Sequence, residues 1–143
     1  MSKRVNEKFV NAYMELDRCC CEKFGISAGG ITEYINRLGN ARFAPKRDEV
    51  LPKLVKYRNI RNIFAHEAKE LKKNDELTKA DVKWIGKFTK YVDKKKDPYS
   101  VYLKKARKYA RHKKVRNFFL ALFLILLAAA GVAAYFFLTG AIG

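Results

Sequence analysis

Near the middle of this 143-residue chain, three residues have the types to move a proton and hold a phosphate: Arg61, Asn62 and His66. They fall in the run Tyr57-Arg58-Asn59-Ile60-Arg61-Asn62-Ile63-Phe64-Ala65-His66-Glu67. An imidazole, with an unperturbed pKa of about 6.5, exchanges its proton near neutral pH. A guanidinium never loses its charge, and its fork matches two oxygens of a phosphate. On a helix Arg58, Asn62 and His66 are four apart and lie along one stripe. Arg61 lies five residues before His66, well round the helix from it. One helix does not easily bring those two side chains together; a second copy of the helix would.

The segment Arg61-Asn62-Ile63-Phe64-Ala65-His66 resembles the motif of the HEPN superfamily: an Arg, four to six residues, then a His, with a polar residue after the Arg. The resemblance extends over about residues 1–96, and the Asn and the Ala-His-Glu ending agree with it. It implies an all-α domain that pairs as a homodimer or higher oligomer, with two motifs facing each other across a cleft. Many HEPN proteins cut RNA without a metal, and others have lost activity and bind or regulate. The implied reaction is attack of the RNA 2′-hydroxyl on its own phosphate, giving a 2′,3′-cyclic phosphate and a 5′-hydroxyl. His66 would handle protons, Arg61 would clamp the phosphorane, and Asn62 would orient the imidazole. Arg58 and Lys56 are expected as further phosphate contacts. No cofactor is implied. A toxin or anti-phage role, with an antitoxin or regulatory protein as partner, follows from the resemblance alone. The alternative is a catalytically silent HEPN-like module that binds RNA or protein at a membrane.

Plainer readings stand beside these. His66 could be a packed histidine bonded to a carbonyl near a helix end. Arg61 could pair with Glu67 or Glu70, and Asn62 could be an ordinary buried amide. His112 reads as a surface residue in a basic segment.

The elements that must position the motif read as helices, since no stretch alternates apolar and polar residues for long. A first helix is expected from Val5 to Phe24, with an apolar stripe of Val5, Phe9, Tyr13, Leu16 and Cys20. The turn Gly25 to Gly30 breaks it, and a short helix follows from Ile31 to Leu38, ended by Gly39 and Asn40. Asp48 is the expected N-cap of a third helix, Glu49 to Leu71, with Pro52 tolerated in its first turn. That helix shows apolar residues on two sides: Leu51 and Val55 on one, Ile60, Ile63 and Phe64 on the other. It is therefore expected to be central. Thr78 and Asp81 read as a capping box opening a fourth helix, lined by Trp84, Ile85, Phe88, Tyr91 and Val92. Asp97-Pro98 opens a fifth, striped with Tyr99, Tyr102, Leu103, Ala106, Tyr109 and Ala110.

From Phe118 to Leu138 the chain carries 21 residues without a charge. Such a helix spans roughly 30 Å, the thickness of a bilayer core. No Pro or Gly separates it from the fifth helix, so the two are expected to be continuous. Just before it stand Lys104, Lys105, Arg107, Lys108, Arg111, Lys113, Lys114 and Arg116; no charge follows it. The positive-inside rule then predicts a single-pass cell-membrane protein with a cytoplasmic N-terminal domain. The expected organisation is a HEPN-like bundle (1–96), a basic juxtamembrane helix (97–117), a transmembrane helix (118–138) and a short non-cytoplasmic tail (139–143).

The net charge is +17, and ten of those charges fall in residues 94–116. Beside an apolar span this reads first as attraction to an anionic membrane surface; it would also hold nucleic-acid phosphates. An apolar content of 49% excludes a disordered polycation. Cys19, Cys20 and Cys21 are adjacent, so on a helix they point apart, giving neither a disulfide framework nor a shared metal. There is no His-Glu-x-x-His, Walker loop or glycine-rich phosphate cradle, and Ser27 has no neighbouring His. Ala129, Ala130, Ala133 and Ala134 have helix-packing spacing, but no polar stripe accompanies them to line a pore.

Overall fold

The computed structural model describes residues 3–66 and 77–140. All regular structure among them is α-helix: α1 (Lys3–Phe24), α2 (Gly30–Asn40), α3 (Arg47–His66), α4 (Lys79–Asp93) and α5 (Pro98–Gly140). The chain forms two compact units, Met1–Leu103 and Lys104–Gly143.

The first unit is built around α1. Phe9, Tyr13, Leu16 and Cys20 are buried along one stripe, with Val5 packed at its end. α1 lies against α4 and α2, and touches α3 less extensively. It stops at Gly25, whose φ of 67° is left-handed and inexpensive only for glycine. The Ile26 N–H then reaches back to the Cys21 carbonyl at 3.1 Å, closing a Schellman motif. α2 begins where α1 comes closest. A Cβ on Gly30 would overlap the Asp17 carbonyl and the Cys21 amide of α1. Glycine at this position allows the two backbones to meet. α2 buries Ile31, Tyr34, Ile35 and Leu38 and ends at Asn40, two residues beyond the expected stop.

α3 departs from expectation in three ways. It starts at Arg47, so Asp48 is a first-turn residue and not the N-cap. The reason is Arg47, whose guanidinium donates to the carbonyls of Leu38 at 3.2 Å and Gly39 at 3.0 Å and so ties the start of α3 to the end of α2. Pro52 consequently lies inside the helix, beyond the first turn. Its missing N–H leaves unpaired the carbonyl of Asp48, an exposed residue that water can serve. Finally, α3 is not central. Its buried face is Val50, Leu54, Tyr57 and Ile60, while Leu51, Val55, Ile63 and Phe64 are only partly covered. The expected C-terminal extension to Leu71 lies outside the described residues.

α4 opens on the Thr78–Asp81 capping box: the Asp81 N–H reaches Thr78 Oγ1 at 3.3 Å and the Thr78 N–H reaches Asp81 Oδ2 at 2.8 Å. α3 and α4 run antiparallel and meet through long side chains. Tyr57 donates to Asp81 at 2.8 Å, and the Tyr57 and Trp84 rings are 5.6 Å apart.

Asp97 does more than cap α5. Its side chain is fully buried and takes three partners: Lys23 Nζ at 2.6 Å, Tyr34 Oη at 2.7 Å and the Ser100 N–H at 3.1 Å. Lys23 also donates to Ser100 Oγ. This network joins α1, α2 and the start of α5, and Tyr99 and Tyr102 pack onto the core beside it.

The second unit is helical through Gly140, and every described residue from Lys104 onward is exposed. α5 is long and apolar enough to cross a membrane.

Candidate functional site

Arg58, Arg61 and Asn62 line one side of a groove of about 530 Å³. α1 supplies the facing wall through Tyr13, Met14, Asp17, Arg18 and Cys21, and the α1–α2 turn with the first turn of α2 closes one end. Arg61 and Asn62 are exposed and Arg58 is half-buried, so these groups are open to a ligand.

Local chain chemistry explains the wall. Gly29 precedes α2 with a left-handed φ of 72° and brings no capping side chain. Asp17 takes over that task from α1: its Oδ1 accepts the Ile31 N–H at 2.8 Å. The carboxylate that would repel a phosphate is thereby partly engaged with a helix N-terminus. Arg18, at the rim, is held between Glu15 and Glu22, each at 2.6 Å. Among the described residues, Arg58 and Arg61 have no carboxylate partner.

Tyr13 reports the field of the groove. Burial pushes its phenol up to about 12, aided by the Asp17 charge, while Arg61 and Arg58 pull it down. The phenol therefore stays protonated at neutral pH.

The expected site residues are thus partly brought together. Arg58, Arg61 and Asn62 share the groove. Lys56 does not line it; it lies on the α4 side, near enough to Asp81 to favour that carboxylate. Two residues along a helix turn a side chain by about 200°, which puts Lys56 across the helix from Arg58. His66 is the last residue of α3. Its side chain lies outside the described set, as do Glu67 and Glu70, the alternative partners of Arg61. The eight basic residues from Lys104 to Arg116 are exposed along α5.

Tyr13, Asp17 and Arg18 are groove residues that motif reading missed. Tyr13 read simply as core. The signal available was the i, i+4 spacing of Tyr13 and Asp17, which puts a phenol and a carboxylate on one face of α1.

The three cysteines are free thiols that diverge. Cys19 points to the Thr89 carbonyl of α4, Cys20 into the core, and Cys21 toward Asp17. Among the described residues, no three His, Cys, Asp or Glu side chains are grouped to hold a metal.

Comparison with curated proteins and with solved structures yields no match. A family profile, by contrast, matches residues 7–121, spanning the helical unit, the basic segment and the start of the apolar run. The chain belongs to that family, DUF6548, a family of unknown function.

Proposed function

We propose that this protein is a membrane-anchored, metal-independent endoribonuclease of the HEPN type, acting as a homodimer or higher oligomer with its helical unit in the cytoplasm. The observation that carries the reading is the open groove in which Arg58, Arg61 and Asn62 converge, within about two turns of His66 on the same helix. Side chains sealed inside a protomer would have no access to a phosphodiester; Arg61 and Asn62 are exposed.

In the proposed reaction a neutral His66 imidazole takes the proton of an RNA 2′-hydroxyl. The O2′–P bond forms as the P–O5′ bond breaks. Arg61 and Arg58 hold the non-bridging oxygens as charge builds on them. The departing O5′ takes a proton from an imidazolium, and the His66 of a second copy supplies it. Two copies provide two imidazoles for two proton transfers. A membrane anchor confines the copies to a surface, which favours their pairing. The lysine- and arginine-rich start of α5 reinforces that anchor at anionic headgroups.

The test is incubation of the detergent-solubilised full chain with single-stranded RNA in EDTA. Wild type is expected to cut, and His66→Ala to cut about 100-fold or more slowly. Equal cleavage by both overturns the proposal. RNA binding without cleavage by wild type assigns the chain to the silent, binding class instead.

A further inference from the structure

A second concavity, of about 380 Å³, lies between the start of α3 and the later turns of α4, and among the described residues it shares none with the arginine groove. Its floor is apolar: Val50 and Phe88 are buried, and Trp84 stacks on Phe88 with ring centroids 5.0 Å apart. Tyr91 stands over its edge, half exposed. Around the mouth are Lys46, Lys87 and Lys96, with Glu49 the one acidic residue among the described lining.

The backbone around this mouth is unusual. Lys46 has φ 55° and Lys95, next to Lys96, has φ 53°, left-handed conformations that glycine or asparagine adopts at lower cost. Lys95 occupies the C′ position of a full Schellman motif, with the Lys96 N–H on the Tyr91 carbonyl at 2.8 Å and its own N–H on the Val92 carbonyl at 3.1 Å. Glycine fills the same position at the end of α1. Of the two left-handed lysines, Lys46 lines the mouth itself and Lys95 precedes Lys96, which does.

We infer that this groove docks a segment of a partner protein carrying one or two bulky apolar anchors among acidic residues. The apolar floor selects the anchors, and the lysine rim selects the charge. The volume suits one or two side chains, not the length of an acyl chain. Base stacking is disfavoured because the indole is already occupied: Phe88 stacks on it and the Lys53 ammonium sits over the ring at 5.2 Å. The site is independent of the nuclease proposal and stands whether or not the chain cuts RNA.

Trp84 is the only tryptophan in the chain, so its emission reports occupancy of this groove. The probes are a panel of tryptophan-free twelve-residue peptides with two Leu or Phe anchors at i,i+2, i,i+3 or i,i+4 spacing among glutamates. Controls place the same anchors among lysines, or glutamates among serines. The titrations use the detergent-solubilised full chain. At least one acidic anchored peptide is expected to change the emission saturably at micromolar concentration. Both controls, and the rim variant Lys87→Glu/Lys96→Glu, are expected to weaken the response about tenfold or more, with the melting temperature of the variant unchanged. Several results overturn the inference: no acidic anchored peptide saturating by millimolar concentration, lysine peptides binding equally well, or full binding by the rim variant. A tighter saturable response to oligouridine or to anionic phosphatidylglycerol vesicles also overturns it, and gives the groove to that ligand.

Discussion

Replacing Asp97 by asparagine removes the charge that joins three helices while barely changing the side chain's shape. Asp97 is fully buried, and its acceptors serve the Lys23 ammonium, the Tyr34 hydroxyl and the Ser100 amide. An asparagine offers one acceptor and an NH2 that would face donors. Truncating one partner of a buried ion pair costs about 3–5 kcal/mol. Lys23 keeps 13% of its side chain exposed, enough to turn toward water, so the lower end applies. About 3 kcal/mol in a domain of this size lowers the melting temperature by roughly 12–24 °C. Tertiary melting should be followed by Trp84 emission in detergent, because the apolar part of α5 would dominate a helicity signal. The double variant Lys23→Met/Asp97→Asn should recover much of the loss, since no buried charge is then left alone.

The same network fixes an acid dependence. Burial by itself raises the Asp97 pKa, but the hydrogen bonds from Lys23, Ser100 and Tyr34 outweigh it and hold the carboxyl below its ordinary range. A depressed folded pKa contributes stability that is complete above the unfolded value of about 3.9 and lost as pH falls through the folded one. Wild type should therefore lose this contribution below about pH 4, and Asp97→Asn should lack that component. A variant within about 1 kcal/mol of wild type at pH 7, or one with the wild-type acid profile, would refute the reasoning.

Two further perturbations test the backbone arguments. Gly30→Ala should destabilise the first unit by about 3 kcal/mol, because its methyl meets the rigid α1 backbone. Gly86→Ala, on open helix surface with nothing within 4 Å, should stabilise it by about 1 kcal/mol, and denaturant titration of the pair checks both signs. Lys95→Gly should stabilise by about 1 kcal/mol in the same titration by relieving the left-handed φ of 53°.

Much of the fold was legible where local chemistry decides it. The Thr78–Asp81 box, Asp97-Pro98 and Gly25 mark helix ends through bonds made within a few residues, and these ends are observed. The α1 stripe was legible because Val5, Phe9, Tyr13, Leu16 and Cys20 recur at spacings of three and four along its length. α3 was harder, since residues 50, 51, 54, 55, 57, 60, 63 and 64 are all apolar or aromatic and support several faces. Only the positions of α1, α2 and α4 select Val50, Leu54, Tyr57 and Ile60. Its start was hidden for a similar reason: Arg47 is anchored by carbonyls of another helix. Asp97 read as a cap, but its burial depends on Lys23, 74 residues away. At the groove, Arg58, Arg61 and Asn62 were found from their own helix, while Tyr13 and Asp17 belong to the facing one. Lys56 was expected beside Arg58 as a phosphate contact, and helical rotation separates them.

The most direct test of the proposed chemistry compares the fragment ends made from one RNA in EDTA by wild type, Arg61→Ala and Lys56→Ala. Wild type and Lys56→Ala are expected to leave 2′,3′-cyclic phosphate and 5′-hydroxyl ends at similar rates, and Arg61→Ala to leave almost none. Undiminished cutting by Arg61→Ala, or 3′-hydroxyl ends from wild type, would contradict the assignment of RNA cleavage to the arginine groove.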